Sequence, residues 1–366
     1  MKKILLVSCG GLGNGGVQAV MMSIVRKLHC EYIFDMLLFT SEKRFYDDEF
    51  LSYGGKIMRI PRYEGHSNLR ARADYYIRGH KLYRSVIENI IENGPYDVIH
   101  CNDEFESAIM IKAAARLNIP IRIAHTHLIT KHTNLLERFV NGYRALVIEK
   151  YATKKLGCSE KACDSFYFNK NNAMIINNTY DEEKFSKHYI KKDLNNFNII
   201  QIGSFNYIKN QIFTIKVLNE IVKCYPKTKL RLVGFDMDNY LDYISREIEK
   251  LNLGDNVDIF PSDADTPALL SDSIALLLPS LQEGFGIVLV EAQAMGVRCL
   301  ASTNVPDTAN CGGVEFLKLE DGPEIWANKI ISYYEKNELI KKDFDVSRFD
   351  SKEVMAVYRK LYEGIE

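Results

Sequence analysis

The sequence predicts an α/β protein of two doubly wound parallel-sheet domains that face each other across a cleft. Three observations predict it. Strand-length apolar runs alternate with helix-length patterns along the whole chain, as expected of parallel strands covered by helices on both faces. The chain has 366 residues, enough for two domains of ordinary size. A polar, charged stretch from Asn177 to Asn196 interrupts the alternation near the middle. The expected domains are therefore residues 1–185 and 186–366.

Ile4–Val7 is an unbroken apolar run and reads as a strand buried on both faces. The glycine loop Gly10–Gly16 follows it, then a helix over Val17–Leu28. Tyr32–Phe39 and Lys56–Ile60 are the second and third strands, and residues 68–93 a long helix. Val98–His100 is a short strand ahead of a helix at 105–117. Ile121–His125, Leu156–Cys158 and Ala173–Ile176 complete the first domain. Beyond the linker, Ile199–Ile202 precedes a helix over Gln211–Cys224, and Lys229–Val233 precedes one over Tyr240–Lys250. Val257–Phe260, Ala275–Leu278 and Arg298–Ala301 are further strands. A final helix lies near Ser351–Tyr362. No fixed-period repeat or low-complexity stretch occurs.

Composition narrows the function. Hydrophobic residues make up 46% and charged residues 26%, ordinary for a soluble globular protein. The net charge of −1 hides an asymmetry: residues 1–185 carry a net +5 and residues 186–366 a net −6. The basic half suits either an anionic surface or acceptor, or plain scatter. With near-neutral charge and no reader motif, nucleic acid is not an expected partner. The eight cysteines form no C-x2-C pair and sit mostly in apolar segments, which fits a reducing cytoplasm. The apolar run after Met1-Lys2-Lys3 breaks at Ser8-Cys9-Gly10, too short for a signal-peptide core. No run of about 18 apolar residues predicts a spanning helix.

The densest chemistry lies in Glu283-Gly284-Phe285-Gly286-Ile287-Val288-Leu289-Val290-Glu291, which follows the strand Ile274–Pro279. Strand, glycine turn and helix N-terminus in succession make an anion site, because free backbone N–H groups and the helix dipole meet there. A phosphate would repel carboxylates on either side unless these had another task, such as gripping the hydroxyls of a nucleotide sugar. The stretch resembles the E-x7-E motif of family-four retaining glycosyltransferases, which have the GT-B architecture. That resemblance implies that Glu291 hydrogen-bonds ribose hydroxyls and Glu283 reaches the transferred sugar. It also implies that the Phe285, Gly286 and Ile287 amides meet the diphosphate, with Gly284 and Gly286 allowing close approach. A terminal helix at about 351–366 that packs back on the first domain is a further implication.

The resemblance extends along most of the chain. Gly203-Ser204-Phe205-Asn206-Tyr207-Ile208-Lys209-Asn210 is similar to the family's G-R-F-x3-K-N loop. Lys209 is thereby implied to offset diphosphate charge, while Ser204 stands where the family has arginine. Gly234, ending Leu230-Arg231-Leu232-Val233-Gly234, and Pro261 are implied on the nucleotide side. In the first domain, Gly15-Gly16 resembles the family's G-G-x-E loop, with Gln18 where an acid is common. His100-Cys101-Asn102, followed by Asp103, stands where many members read H-x-H. Ala124-His125-Thr126-His127 is similar to A-H-[ST]-H. His125 and His127 face one side of a strand, and either could contact the departing phosphate or the acceptor hydroxyl; the sequence does not choose between them. Leu51–Tyr63 resembles the bacterial capsular and exopolysaccharide branch, which implies a lipid-linked oligosaccharide acceptor at the inner leaflet.

Competing motifs are weighed on their surroundings. Gly11-x-Gly13-x-x-Gly16 satisfies the dinucleotide fingerprint, but the loop is longer than that turn and Glu42 is the only acidic candidate nearby. His125-x-His127 lacks a third ligand at motif spacing, so zinc is not expected. Asp236-x-Asp238, Asp263-x-Asp265 and Asp343-x-Asp345 match D-x-D, read here as solvated loops in an acidic half. No metal or other cofactor is expected. Residues 68–89 interleave Arg70, Arg72, Arg78, Lys81 and Arg84 with Tyr75, Tyr76 and Tyr83, suited to peripheral contact with anionic inner-leaflet lipid or to a solvated face.

The expected activity is transfer of a sugar, with retention, from a nucleotide-diphosphate sugar, UDP-linked by resemblance, to an acceptor hydroxyl on a saccharide or lipid-linked saccharide. The alternatives are a nucleotide-sugar epimerase of similar fold and a non-catalytic nucleotide-sugar-binding protein. The expected location is cytoplasmic, with a peripheral position on the inner membrane as the variant.

Overall fold

Aliphatic runs without polar interruption can be buried on both faces only as central strands of parallel sheets, and two such sheets form. A computed structural model describes residues 1–8, 11–13, 15–60, 83–102, 104–127, 135–185, 197–237, 239–336 and 344–365. The chain divides into two units: Met1–Thr179 with Ser351–Glu366, and Tyr180–Asp350. The boundary falls before 185/186 because the Asp181–Phe185 turn closes on itself, Phe185 N–H donating to Asp181 O at 2.9 Å, and Phe185 is buried.

The first unit runs β1 (Lys3–Ser8), α1 (Gly16–Leu28), β2 (Ile33–Leu38), α2 (Asp47–Ser52), β3 (Ile57–Arg59), helical residues 83–93 (α3), β4 (Val98–Cys101), α4 (Glu104–Arg116), β5 (Ile121–Thr126), α5 (Leu135–Tyr151), β6 (Lys154–Gly157), α6 (Glu160–Phe166) and β7 (Ala173–Ile175). Its seven strands lie in the order β3-β2-β1-β4-β5-β6-β7, every pair parallel. The buried stripe of α1, Met21, Met22, Ile24, Val25 and Leu28, packs on one face of this sheet. The same core takes in Val354, Met355, Tyr358, Leu361 and Tyr362 from α12 (Ser351–Glu363). Lys2 pairs with Glu363 at 3.0 Å, and Arg359 with Glu31 at 2.7 Å, along the edge of that contact.

The second unit runs β8 (Asn198–Ile202), α7 (Gln211–Val222), β9 (Lys229–Gly234), α8 (Leu241–Lys250), β10 (Val257–Pro261), α9 (Thr266–Ser271), β11 (Ala275–Leu278), α10 (Ile287–Ala294), β12 (Arg298–Ser302), β13 (Val314–Leu317) and α11 (Gly322–Glu335). Six parallel strands lie in the order β10-β9-β8-β11-β12-β13. Ile199, Leu230, Leu232, Leu277 and Leu300 form the floor of a core closed by Ile215, Leu218 and Trp326 from α7 and α11. Trp326 also donates from Nε1 to Lys318 O at 3.2 Å, so its one polar atom is satisfied.

Both sheets reverse strand order once, at β1/β4 and at β8/β11. Loops leaving the C-terminal strand ends diverge there, which opens a crevice suited to ligands. Residues 68–82 of the basic aromatic segment, with Arg70, Arg72, Arg78 and Lys81, lie outside the described residues. Arg84 forms an i,i+4 pair with Glu88 at 3.1 Å. Among the described residues no helix is long and apolar enough to cross a membrane. Seven cysteines are described and all are free thiols, four of them buried.

Candidate functional site

At the reversal point of the second sheet, the loops after β8 and β11 run side by side and are stitched together. Gln201 donates from Nε2 to Lys209 O at 2.7 Å and accepts from the Thr214 hydroxyl at 2.6 Å. Asn206 accepts from Lys209 N–H at 2.9 Å and donates to Ser204 Oγ at 2.9 Å. Gln211 donates to Ser204 O at 2.9 Å. Asn210, left-handed at φ 56°, starts α7 and donates to Pro279 O at 3.1 Å, while Leu281 N–H donates to Ile208 O at 2.8 Å. These bonds fix the approach of Lys209 to Glu283, with which its ammonium forms an ion pair. Ser280 Oγ lies 3.5 Å from the same carboxylate oxygen.

The turn after Glu283 delivers the chain into α10. Gly284, Phe285 and Gly286 are buried, and Phe285 meets Phe349 edge-on at 5.7 Å. Gly286 sits at φ 82°, ψ 53° as N-cap, a conformation that favours glycine, and as a glycine it brings no side chain to cap the helix. Leu289 N–H already donates to Gly286 O at 2.9 Å; a helix start capped by glycine is an arrangement that can take a phosphate group on its other first-turn amides. Glu291 is the fifth residue of α10 and half-buried. Burial pushes its carboxyl up to about 7; Lys184 opposes this rise and Asp181 adds to it. A carboxyl poised near neutrality can accept from hydroxyls or donate to them.

On the β9 side, a Cβ at Gly234 would collide with the Gly203 carbonyl, so only glycine fits that crossing. Pro261 is the register partner of Gly234 and is exposed. The D-x-D motifs have local duties. Asp236 caps Leu241 N–H at 2.9 Å, Asp265 is the N-cap of α9, and Asp345 accepts from Ser347 N–H at 3.0 Å. Asp238 and Asp343 lie outside the described residues.

In the first unit, Gly15 is the N-cap of α1, and the Gln18 amide folds so closely over it that a Cβ would clash. Gly16 opens the helix with free space where a Cβ would stand. At the ends of β4 and β5 a buried imidazole cluster forms. His100 Nδ1 lies 3.0 Å from the Tyr362 hydroxyl, and His100 Nε2 lies 3.2 Å from His125 Nδ1. The His125 and His127 rings are 3.9 Å apart between centroids. His127 Nε2 lies 3.2 Å from Asn102 Oδ1. Burial holds His100 and His127 down to about 3 and His125 well below its usual value, so all three rings are neutral near pH 7. Asp103 lies outside the described residues.

The fold thus gathers Ser204, Lys209, Glu283 and the α10 N-terminus in one place, and His100, Asn102, His125 and His127 in another. Sequence reading missed Gln201 and Asn206, which shape the lysine loop, Lys184 beside Glu291, and Tyr362 beside His100. Asn206 lies inside the Gly203–Asn210 loop; Tyr362 carries no local signal, being 262 residues from its partner.

Residues 181–342 match the family model described as "Glycosyl transferases group 1". The chain is 26% identical to EpsF of Bacillus subtilis (strain 168), which bears the name of a glycosyltransferase, over 99% of this chain and 96% of that protein. It is 24% identical to an Escherichia coli protein, UDP-Gal:alpha-D-GlcNAc-diphosphoundecaprenol alpha-1,3-galactosyltransferase, over 58% of this chain and 59% of that protein. The crystal structure of Anabaena Alr3699/HepE in complex with UDP and glucose superposes over the full length of both chains, with TM-score 0.79 and 17% identity. That of WaaG, a glycosyltransferase involved in lipopolysaccharide biosynthesis, does so over 99% and 98%, with TM-score 0.66 and 17% identity.

Proposed function

We propose that this chain, a group 1 glycosyltransferase with the GT-B architecture, moves a hexose from UDP to a hydroxyl of a lipid-linked saccharide, with retention. The observation that carries this reading is the Lys209–Glu283 pair ahead of the glycine-capped start of α10. The Lys209 ammonium, held by Glu283, and the α10 amides would offer positive charge where a leaving diphosphate gathers negative charge, and stabilisation of that charge is the main demand of glycosyl transfer. Glu291 then grips the ribose hydroxyls and Glu283 the sugar. The neutral imidazoles of the first unit face the acceptor. Lys209 and the α10 amides supply the electrostatic stabilisation without a metal ion. Retention is drawn from the E-x7-E resemblance. UDP is favoured by the Escherichia coli relative's named donor and by the UDP bound in HepE. A diphosphoundecaprenol-linked acceptor, named for the same relative, would bring the chain to the anionic inner leaflet.

A thermal-shift screen of UDP, GDP and their hexose conjugates tests the donor, since selective binding to the native state raises its melting temperature. UDP-hexoses are expected to stabilise and GDP to leave the transition unmoved. No shift with any nucleotide sugar would overturn the reading. Sugar transfer is expected to survive EDTA; activity abolished by EDTA and restored by a divalent ion would remove Lys209 and the α10 amides as the sole charge stabilisers.

A further inference from the structure

Two nitrogens of the imidazole cluster stand bare: among the described residues, His125 Nε2 and His127 Nδ1 are buried without a hydrogen-bond partner. Buried polar atoms are seldom left so unless a ligand or water completes them. The hydrogen bonds around them determine what each can offer.

Tyr362 Oη has one proton and, among the described residues, one partner, His100 Nδ1. If His100 donated to it, the phenol proton would be buried with no acceptor among the described residues. The phenol therefore donates to Nδ1. Neutral His100 then carries its proton on Nε2 and donates to His125 Nδ1. His125 in turn keeps its proton on Nε2, the bare atom, which is a donor. Asn102 donates from Nδ2 to His100 O at 3.2 Å, which turns its oxygen towards His127 Nε2. An amide oxygen only accepts, so His127 is protonated at Nε2 and its bare Nδ1 is a lone pair. Among the described residues, the other titratable groups against the cluster are Tyr358, whose ring lies 5.8 Å from His100 and 6.5 Å from His125, Tyr32, 5.5 Å from Tyr362, and Cys158, which donates to His127 O. None of them reaches either bare nitrogen.

We propose that Tyr362, acting through His100, and Asn102 are positioning residues that make His125 a donor and His127 an acceptor, and that the two together receive one saccharide hydroxyl. The hydroxyl oxygen accepts from His125 Nε2–H while its proton is donated to His127 Nδ1. A phosphate oxygen has no proton for that lone pair, so the pair selects an alcohol over the diphosphate. The owner of the hydroxyl rests on the glycosyltransferase reading; the proton positions do not.

Long-range proton–nitrogen spectra of the full chain, with histidine rings labelled in nitrogen-15, read the tautomers directly. His125→Asn and His127→Asn spectra assign the signals. Protonation at Nε2 is expected in His100, His125 and His127, and Nδ1–H on His125 or His127 overturns the proposal in the wild-type protein alone. Tyr362→Phe keeps the ring volume and removes the phenol proton. His125 is then expected to become a mixture of tautomers, and UDP release from the UDP-hexose chosen in the thermal-shift screen to slow about tenfold, the scale of one net hydrogen bond, with donor KM within twofold. A His125 tautomer unchanged in Tyr362→Phe, or a loss confined to donor KM, overturns the relay. Tautomers as expected in a chain that releases UDP from no donor would count against the enzymatic reading and leave the proton positions standing.

Discussion

Glu291→Gln separates stability from binding at one residue. The carboxyl rises from 4.5 to about 7 in the folded chain. The folded state therefore holds a proton that the unfolded state has released between those values. Stability from this group is complete below about 4.5 and is lost as pH rises through about 7. At 1.36 kcal/mol per unit the loss is at most about 3 kcal/mol, and screening through the exposed part of the residue brings it to about 2 kcal/mol. The buried histidines act with the opposite sign: their depressed values remove stability as pH falls below about 6.5. The two effects overlap in acid, so the window from pH 6.5 to 8 isolates Glu291. Urea denaturation at pH 5, 6.5 and 8 is the assay. The glutamine variant is expected to be more stable than wild type at pH 8, with the gap closing towards pH 5. Calorimetry with UDP at pH 8 is expected to show weaker binding if the carboxylate accepts from the ribose hydroxyls, because the amide replaces that acceptor. Equal pH slopes in the two proteins would refute the buried-carboxyl argument, and unchanged UDP affinity would refute the ribose contact.

Lys209→Ala should lower turnover by about 10²–10³ if its ammonium offsets diphosphate charge; a loss below threefold in initial-rate assays removes it from the site. Gly234→Ala should disrupt the β8–β9 crossing, because the added methyl meets the Gly203 carbonyl rather than a movable side chain. A marked drop in melting temperature is expected, and an unchanged one would refute the steric argument.

The two sheets were legible because their central strands are largely apolar: β11 (Ala-Leu-Leu-Leu) is buried at every position. β13 was not, since its four residues are all partly exposed at the sheet edge and carry no burial pattern. α11 begins Gly-Pro, which reads as a turn, although proline suits the first turn of a helix. α5 exposes Phe139, Tyr143 and Leu146, so its apolar face is blurred. The turn from Glu283 into α10 was legible because loop and helix start are contiguous in sequence, whereas Lys209 lies 74 residues from Glu283 and is brought to it by the fold. The imidazole cluster was only half legible. Strand alternation put His125 and His127 on one side, but the orientation of each ring depends on Asn102 and Tyr362, which only the tertiary fold brings near.

The packing of α12 into the first unit has a consequence for biosynthesis. A ribosome that has made residues 1–179 has not supplied Tyr358 or Tyr362, and the hydrophobic interior beside α1 still has a vacancy. The core of the unit encoded first therefore cannot be completed until the one encoded second has been synthesised, and that opening stays exposed until residues 351–365 emerge.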